Sequence, residues 1–247
     1  MEARTLAKTC DKLKFSDKVW AVYNTFGYAL PGYESYVRRF GTSRKRVIYL
    51  GMNPGPWGMA QTGVPFGEIP AVRDWMGLRA QIGKPDKEHP KRPVEGFDCG
   101  RSEVSGRRLW GLFSDVFTSP EAFFADAFVF NYCPLAFLVE TGANLTPDKL
   151  SAEEKRPLEA ACDTHLRKVI EILQPQFAVG VGGFARKCLE RLAITDLQIG
   201  TLLHPSPASP IANRDWPERP RNQLAEMGLL PRSDFARQEL TQLHSHP

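Results

Sequence analysis

Four short apolar runs recur along the chain, and each of them ends in a turn signal. They are rich in β-branched and aromatic residues and are followed by Asn, Pro, Gly or His. Runs of this length and composition are typical of buried β-strands. The runs cover residues 46–52, 127–131, 177–181 and 197–203.

Helical patterns lie between these runs. Apolar residues recur at helical spacing, as in Leu109, Leu112, Phe113 and Val116. Helices are therefore predicted over residues 104–117, 147–173, 184–192 and 215–227.

The aromatic and apolar segment 16–30 is also predicted to be a helix. Ser16 is its expected N-cap, and Pro31-Gly32 is expected to end it. Strands that alternate with helices pair in parallel. The predicted fold is therefore α/β, a three-layer α/β/α sandwich with a central, mainly parallel four-stranded sheet.

The length of 247 residues suits one domain, with a core from about residue 16 to 230 and a polar C-terminal tail. Residues 83–103 are rich in Lys, Pro and Gly and are expected to form a long surface loop. The positive and negative charges of this loop nearly cancel. No DNA-binding patch is therefore predicted there.

Composition narrows the class of protein. Hydrophobic residues make up 42% and charged residues 24%, and the net charge of +4 permits a polyanionic partner. Five cysteines without a C-x-x-C pair argue against a disulfide framework or a zinc site. The N-terminus has no signal-peptide pattern, and the most apolar stretch, 177–185, is too short to span a bilayer. A soluble, intracellular protein of the bacterial cytoplasm or the nucleus is expected.

Polar side chains follow three of the four predicted strands. Asn53 begins an Asn-Pro-Gly turn, Asn131 ends its run, and His204 begins a proline-rich loop. Each has a common structural explanation when taken alone, such as a turn or a satisfied backbone group. Ligands of open parallel sheets bind outside the carboxyl ends of the strands. We therefore expect the three side chains to converge on one pocket.

Longer motifs surround these positions. The segments GMNPGPWGMAQTGVPFGE, EVSGRRLW, NYCPL and HPSPASPIANRDW together resemble the single-strand-selective monofunctional branch of the uracil-DNA glycosylase superfamily. The resemblance spans roughly residues 26–216 and implies the fold of that superfamily. The mismatch-specific branch shares Asn-Pro-Gly but normally lacks the His of the last motif. The iron–sulfur branches carry cluster cysteines that this chain does not match.

This resemblance implies a role for each polar residue. Asn53 and His204 would be catalytic, the first placing a water and the second donating a hydrogen bond to uracil O2. Phe66 would stack on the flipped pyrimidine, and Asn131 would read its edge. An amide locked in one orientation would reject cytosine, whereas a freely rotating amide would not.

The resemblance also implies contacts beyond the base edge. The backbone of Met52 and Gly55 would lie near C5 of the base and leave room for oxidised substituents such as hydroxymethyl. Residues 205–216 resemble the family's wedge, which fills the gap that the flipped base leaves. Ala208 stands where vertebrate members carry Arg, so a weaker plug is expected. The DNA contacts implied in this loop are Pro207, Ala208, Ser209 and Arg214.

The function expected from the resemblance is a DNA repair glycosylase. It would flip uracil and oxidised uracils out of single- or double-stranded DNA, hydrolyse the N-glycosidic bond, and leave an abasic site for base excision repair. It would act as a monomer without cofactor or metal. The alternatives are a mismatch-specific uracil/thymine glycosylase, a catalytically inactive nucleic-acid-binding module that reuses the fold, and a small-molecule α/β enzyme.

Overall fold

The computed structural model describes residues 2–231, and seven strands lie in this part of the chain. They form a four-stranded parallel sheet in the order β3-β2-β6-β7 and a three-stranded antiparallel sheet in the order β1-β4-β5. The strands are β1 (Ala21–Asn24), β2 (Val47–Gly51), β3 (Ala127–Asn131), β4 (Leu135–Leu138), β5 (Asn144–Leu145), β6 (Phe177–Val181) and β7 (Gln198–Leu202). The four strands of the parallel sheet are those predicted from the sequence.

Ten α-helical segments lie in residues 2–231. They are α1 (Glu2–Cys10), α2 (Thr25–Tyr28), α3 (Leu30–Phe40), α4 (Met59–Thr62), α5 (Val104–Val116), α6 (Pro120–Asp126), α7 (Ala152–Leu173), α8 (Gly183–Arg191), α9 (Pro210–Asp215) and α10 (Glu218–Glu226). Short π or 3-10 turns occur at Ala71–Trp75, Gly96–Asp98 and Pro147–Lys149.

The strand order explains the layers. From β2 the chain moves to β3 on one side, and later returns to β6 on the other side of β2. Right-handed crossovers in opposite directions place their helices on opposite faces of the sheet. The predicted α/β class with a parallel central sheet is therefore confirmed. The connections that leave β2 and β6 run in opposite directions along the sheet. Sheets of this kind bind ligands at the carboxyl ends of the two strands where the direction of the connections reverses.

The helix predicted over 16–30 is wrong. The segment holds β1 and the short α2, and β1 pairs antiparallel with β4 through Val22 and Phe137. Its apolar run fits either element by periodicity, and pairing with a strand 115 residues later decides the outcome. Ser16 caps no helix, because the residues after it form a turn that leads into β1. Its N–H donates to Glu154 Oε1 at 2.6 Å. Pro31 lies in the first turn of α3 and begins that helix instead of ending one.

Two other helices differ from the prediction at a proline or a cap. The helix α7 begins at Ala152 because Ser151 and Glu154 form a capping box. The helix predicted over 215–227 is α10, which begins only at Glu218, after Pro217. The preceding α9, which ends at Asp215, was not predicted.

The hydrophobic core extends further towards the N-terminus than predicted. Leu6, Ala7 and Cys10 of α1 belong to the same buried cluster as the parallel sheet and Leu230. All five cysteines are buried and free. Within residues 2–231, no helix has both the length and the apolar character needed to cross a membrane. The predicted polar tail lies outside the described residues.

Candidate active site

A cavity of about 530 Å³ opens at the carboxyl ends of the parallel strands. We call it the base cavity, after the flipped base that the sequence resemblance implies. Seven residues singled out from the sequence line it, and they come from loops as far apart as residues 52 and 207. They are Met52, Asn53, Gly55, Phe66, Asn131, His204 and Pro207.

Asn53 follows β2, and a bond from the small sheet sets the orientation of its amide. Its Nδ2 donates to the carbonyl oxygen of Leu135 at 3.1 Å. No residue of the described chain donates to its Oδ1. Because the nitrogen is engaged by β4, the oxygen is the end that remains available to a ligand or a water in the base cavity.

Phe66 has an unusual backbone that its surroundings hold in place. Its φ of 52° lies in the left-handed region, and its side chain is buried. Its carbonyl oxygen accepts from Trp110 Nε1 at 3.0 Å and from the N–H of Glu68 at 2.7 Å. A Cβ on Gly106 would overlap that same carbonyl. The glycine therefore lets α5 approach closely enough to fix Phe66.

His204 follows β7, and a hydrogen bond determines its tautomer. The N–H of Ser206 donates to Nδ1 at 3.1 Å, so Nδ1 is the unprotonated nitrogen and Nε2 carries the hydrogen. Burial lowers the pKa of His204 to about 4, so the ring is neutral near pH 7. Its centroid lies 6.4 Å from that of Phe66. The site thus presents a neutral N–H donor close to an aromatic ring.

Gly182 makes room for this histidine. It follows β6 with a φ of +88°, and a Cβ at this position would lie 3.0 Å from Cβ of His204. Only glycine adopts that backbone readily and leaves that space. The Gly182-Gly183 pair after the third predicted strand was the available signal, although it carries no polar side chain.

Asn131 ends β3 beside Gly51, its partner in the parallel register. It is 3% exposed, and its Oδ1 is buried without a hydrogen-bond partner among residues 2–231. A buried amide oxygen without a partner is rare in a folded protein and calls for a ligand or water. A Cβ on Gly51 would lie 2.6 Å from the Phe66 ring. The glycine therefore lets the amide and the ring share one wall.

The wedge loop, residues 205–216, lies beside the base cavity. Pro207 lines the cavity, whereas Ala208, Ser209 and Arg214 do not. Pro207 and Ala208 are exposed, and Ser209 Oγ caps α9 by accepting from the N–H of Ala212. Arg214 lines a separate polar hollow with the start of α10.

Arg108 of α5 fixes the wedge loop. Its guanidinium donates to the carbonyl oxygens of Pro205 and Ser206 at 3.1 and 3.4 Å and to Asn213 Oδ1 at 2.9 Å. Asn213 Nδ2 in turn donates to the carbonyl oxygen of Pro207. A fork-shaped cation suits this task because it bonds several acceptors at fixed angles.

Glu103, just before α5, contributes a carboxyl to the cavity wall. It lies so close to the loop that a Cβ on Gly58 would overlap it, and a Cβ on Gly55 would lie 2.5 Å from it. Burial, together with the nearby Glu68, raises the pKa of Glu103 to about 7. The wall is therefore only partly charged at neutral pH, which suits an anionic ligand better than a full carboxylate would.

Two arginines of the predicted surface loop lie over an aromatic ring at the cavity. The guanidinium carbons of Arg92 and Arg101 are 5.1 and 5.4 Å from the ring centre of Trp57, which lines the base cavity. The sequence prediction considered only the net charge of residues 83–103, in which positive and negative side chains nearly cancel. It therefore gave no sign of this arginine pair. Sequence reasoning missed Arg108 and Glu103 as well, although both lie in the EVSGRRLW motif.

The fold and the cavity together define a class of protein. Residues 38–226, more than half of the chain, match the model of the uracil DNA glycosylase superfamily. The chain belongs to that superfamily.

Curated relatives narrow the assignment to one family. The chain is 47% identical over 223 residues to a single-strand selective monofunctional uracil DNA glycosylase of Bos taurus, covering 89% of this chain and 82% of the relative. It is 46% identical over 224 residues to the one of Rattus norvegicus, covering 89% and 80%. Within the superfamily, the chain therefore belongs to the single-strand selective monofunctional uracil-DNA glycosylases.

A solved structure supports the architecture. The crystal structure of wild-type Pedobacter heparinus SMUG2 matches with a TM-score of 0.63, covering 92% of this chain and 94% of that one. At 17% sequence identity, this likeness concerns the fold alone.

Proposed function

We propose that this protein excises uracil from DNA by hydrolysing the N-glycosidic bond. The observation that carries the proposal is the orientation of three polar groups on one cavity. Asn53 and Asn131 each have an oxygen to offer, and His204 has an Nε2–H. Uracil needs an acceptor for its N3–H and a donor for its O2, and the attacking water needs an acceptor of its own.

The chemistry follows from these groups. Cleavage of the bond between N1 and C1′ leaves its electron pair on the uracil ring, largely on O2, and leaves an oxocarbenium-like sugar. A neutral histidine N–H stabilises charge that develops on O2. Asn53 Oδ1 accepts a hydrogen bond from the water that adds to C1′. The proton that this water loses passes to solvent, and the departing uracil anion takes up a proton there. A strongly basic group is unnecessary because the sugar cation accepts a weak nucleophile.

Base recognition is assigned to Phe66 and Asn131. The ring of Phe66 offers a face for stacking on a base that has left the duplex. The buried Oδ1 of Asn131 accepts from N3–H of uracil, whereas cytosine presents a lone pair at that atom. This contact should discriminate strongly between the two bases, because cytosine would leave the buried Oδ1 of Asn131 unpaired.

The proposal extends to oxidised uracils such as 5-hydroxymethyluracil and to single- and double-stranded DNA. Met52 and Gly55 line the cavity and add only one flexible side chain to it, which supports acceptance of a substituent at C5. The wedge loop supports action on duplexes, where a flipped base leaves a gap. We also propose that the protein acts as a monomer in the compartment that holds the DNA.

One assay tests the proposal. A labelled oligonucleotide with a single uracil is incubated with the protein, treated with alkali and separated on a gel. Strand breaks that appear only after alkali are expected, because excision leaves an abasic site and no nick. Matched oligonucleotides with 5-hydroxymethyluracil, and G·U and G·T duplexes, are run in parallel. Binding without abasic sites would indicate an inactive module, and efficient G·T cleavage would indicate a mismatch-specific enzyme.

A further inference from the structure

The base-reading amide of Asn131 has a neighbour to which the proposed function assigns no role. Asn131 Nδ2 donates to Sδ of Met59 at 3.2 Å. Met59 is the first residue of α4 and is fully buried. The other end of the same amide, Oδ1, has no partner in the described part of the chain.

The sulfur distinguishes the two ends of the amide. A thioether has lone pairs and no hydrogen to give, so it accepts from an N–H and offers nothing to a carbonyl oxygen. A half-turn of the amide would replace the N–H···S contact by an oxygen facing a sulfur. The orientation that leaves Oδ1 free is therefore the one that Met59 favours.

The turn that carries Met59 is itself held firmly. Gln61 is fully buried and bonded at both ends of its amide, donating to the carbonyls of Pro56 and Pro93 and accepting from the N–H groups of Glu95 and Gly96. Because this turn is fixed and Met59 is itself fully buried, the sulfur is held beside Asn131.

We propose that Met59 is a positioning residue that sets the preference for uracil over cytosine. Its thioether holds the Asn131 amide with the oxygen available to the base. Uracil then meets an acceptor at N3–H, while cytosine meets an oxygen opposite its N3 lone pair. This inference rests on the proposed function, since it requires Asn131 to read the base.

The variant Met59→Leu tests this directly, because leucine has a similar volume and cannot accept a hydrogen bond. The readout is the ratio of dissociation constants for oligonucleotides with uncleavable 2′-fluoro-deoxyuridine and 2′-fluoro-deoxycytidine. We expect the preference for uracil to fall about fivefold, the effect of one typical hydrogen bond. Met76→Leu is the matched control, since Met76 is another fully buried methionine of the same core. It should leave the ratio unchanged.

Two further variants separate positioning from general packing. Met59→Gln keeps an unbranched chain with an acceptor oxygen and should retain the preference. In the Asn131→Ala background, Met59→Leu should have no further effect on the ratio, because the two residues act through one contact. Thermal melting checks that each variant is folded.

The possible outcomes distinguish the two levels of the claim. A folded Met59→Leu protein with the wild-type ratio overturns the role of Met59 and leaves uracil excision intact. Wild-type protein that leaves uracil in the oligonucleotide contradicts the proposed function itself. A reduced ratio in Met59→Leu together with retention in Met59→Gln supports the inference.

Discussion

The base cavity and the wedge loop adjoin each other at His204, yet they keep their shapes by different means. The cavity is built at the ends of buried parallel strands, and Phe66 and Asn131 are almost wholly enclosed. The wedge loop is exposed at its tip and depends on prolines and on the guanidinium of Arg108. The proposed chemistry therefore lies where the sheet fixes it, and the proposed contact with duplex DNA lies on a loop with an exposed tip.

The largest effect should come from the cavity. Asn53→Ala removes the oxygen that is proposed to hold the water, and the bond to Leu135 that orients it. We expect kcat to fall by about 10²–10³, the range for loss of one preorganised polar group. Single-turnover assays on single- and double-stranded uracil substrates should show equal losses. A variant that retains full turnover would remove Asn53 from the mechanism.

His204 lies where the two regions meet, and His204→Leu should cost a similar factor of about 10²–10³ on both substrates. Its titration gives a second test. Because burial lowers the pKa of His204 to about 4, the neutral ring persists down to roughly that pH, and activity should fall as the pH drops through it. Protonation of Nδ1 would break the bond from the Ser206 N–H.

The same rate profile also tests Glu103, whose pKa is raised to about 7. If the charge of this carboxyl affects the rate, the profile shows a second inflection near pH 7. Glu103→Gln should remove that inflection and leave the acid limb in place. An acid limb centred near pH 6.5 would contradict a desolvated His204.

A smaller effect, specific to duplex DNA, is expected from the support of the wedge loop. Arg108→Ala removes three hydrogen bonds to that loop. We expect kcat/KM on duplex uracil to fall about tenfold more than on single strands, an amount that charged hydrogen bonds readily supply. Arg38→Ala, an exposed arginine on α3, is the control. Equal losses on both substrates would mean that Arg108 supports the cavity as a whole.

The smallest effect is expected at the tip of the wedge. Ala208 is exposed and its N–H bonds to Ser206 Oγ, so a longer side chain fits without loss of packing. Ala208→Arg should raise duplex activity about threefold through one added phosphate contact or a better plug, and leave single-strand activity nearly constant. The salt dependence of DNA binding separates these two explanations. A new phosphate contact makes binding fall more steeply with salt concentration, whereas a better plug does not.

The parallel sheet was predictable because its four strands are continuous apolar runs that end in turn residues. The second sheet was not, since β1 finds its partner β4 only after the chain has folded back. The helix α1 was missed for another reason. Its charges hide a narrow apolar face of Leu6, Ala7 and Cys10.

The residues of the site likewise fall into those that the sequence could identify and those that it could not. Asn53, Asn131 and His204 could be singled out because each lies at the end of a strand or just after it, and the carboxyl ends of parallel strands share one edge of the sheet. Met59, Glu103 and Arg108 could not, because their importance lies in contacts with residues 45 to 105 positions away. The order of residues in a single sequence carries no sign of such contacts.

The helix α5 contacts both regions, with Gly106 and Trp110 against Phe66 of the base cavity and Arg108 against the wedge loop. Substitutions at these three positions therefore disturb contacts in the base cavity or the wedge loop, whereas Ala208 is exposed and bonds through its backbone N–H to Ser206 Oγ. An engineer who wants a new substrate should therefore leave Gly106, Arg108 and Trp110 untouched and vary Met52, which lines the base cavity, or the exposed Ala208.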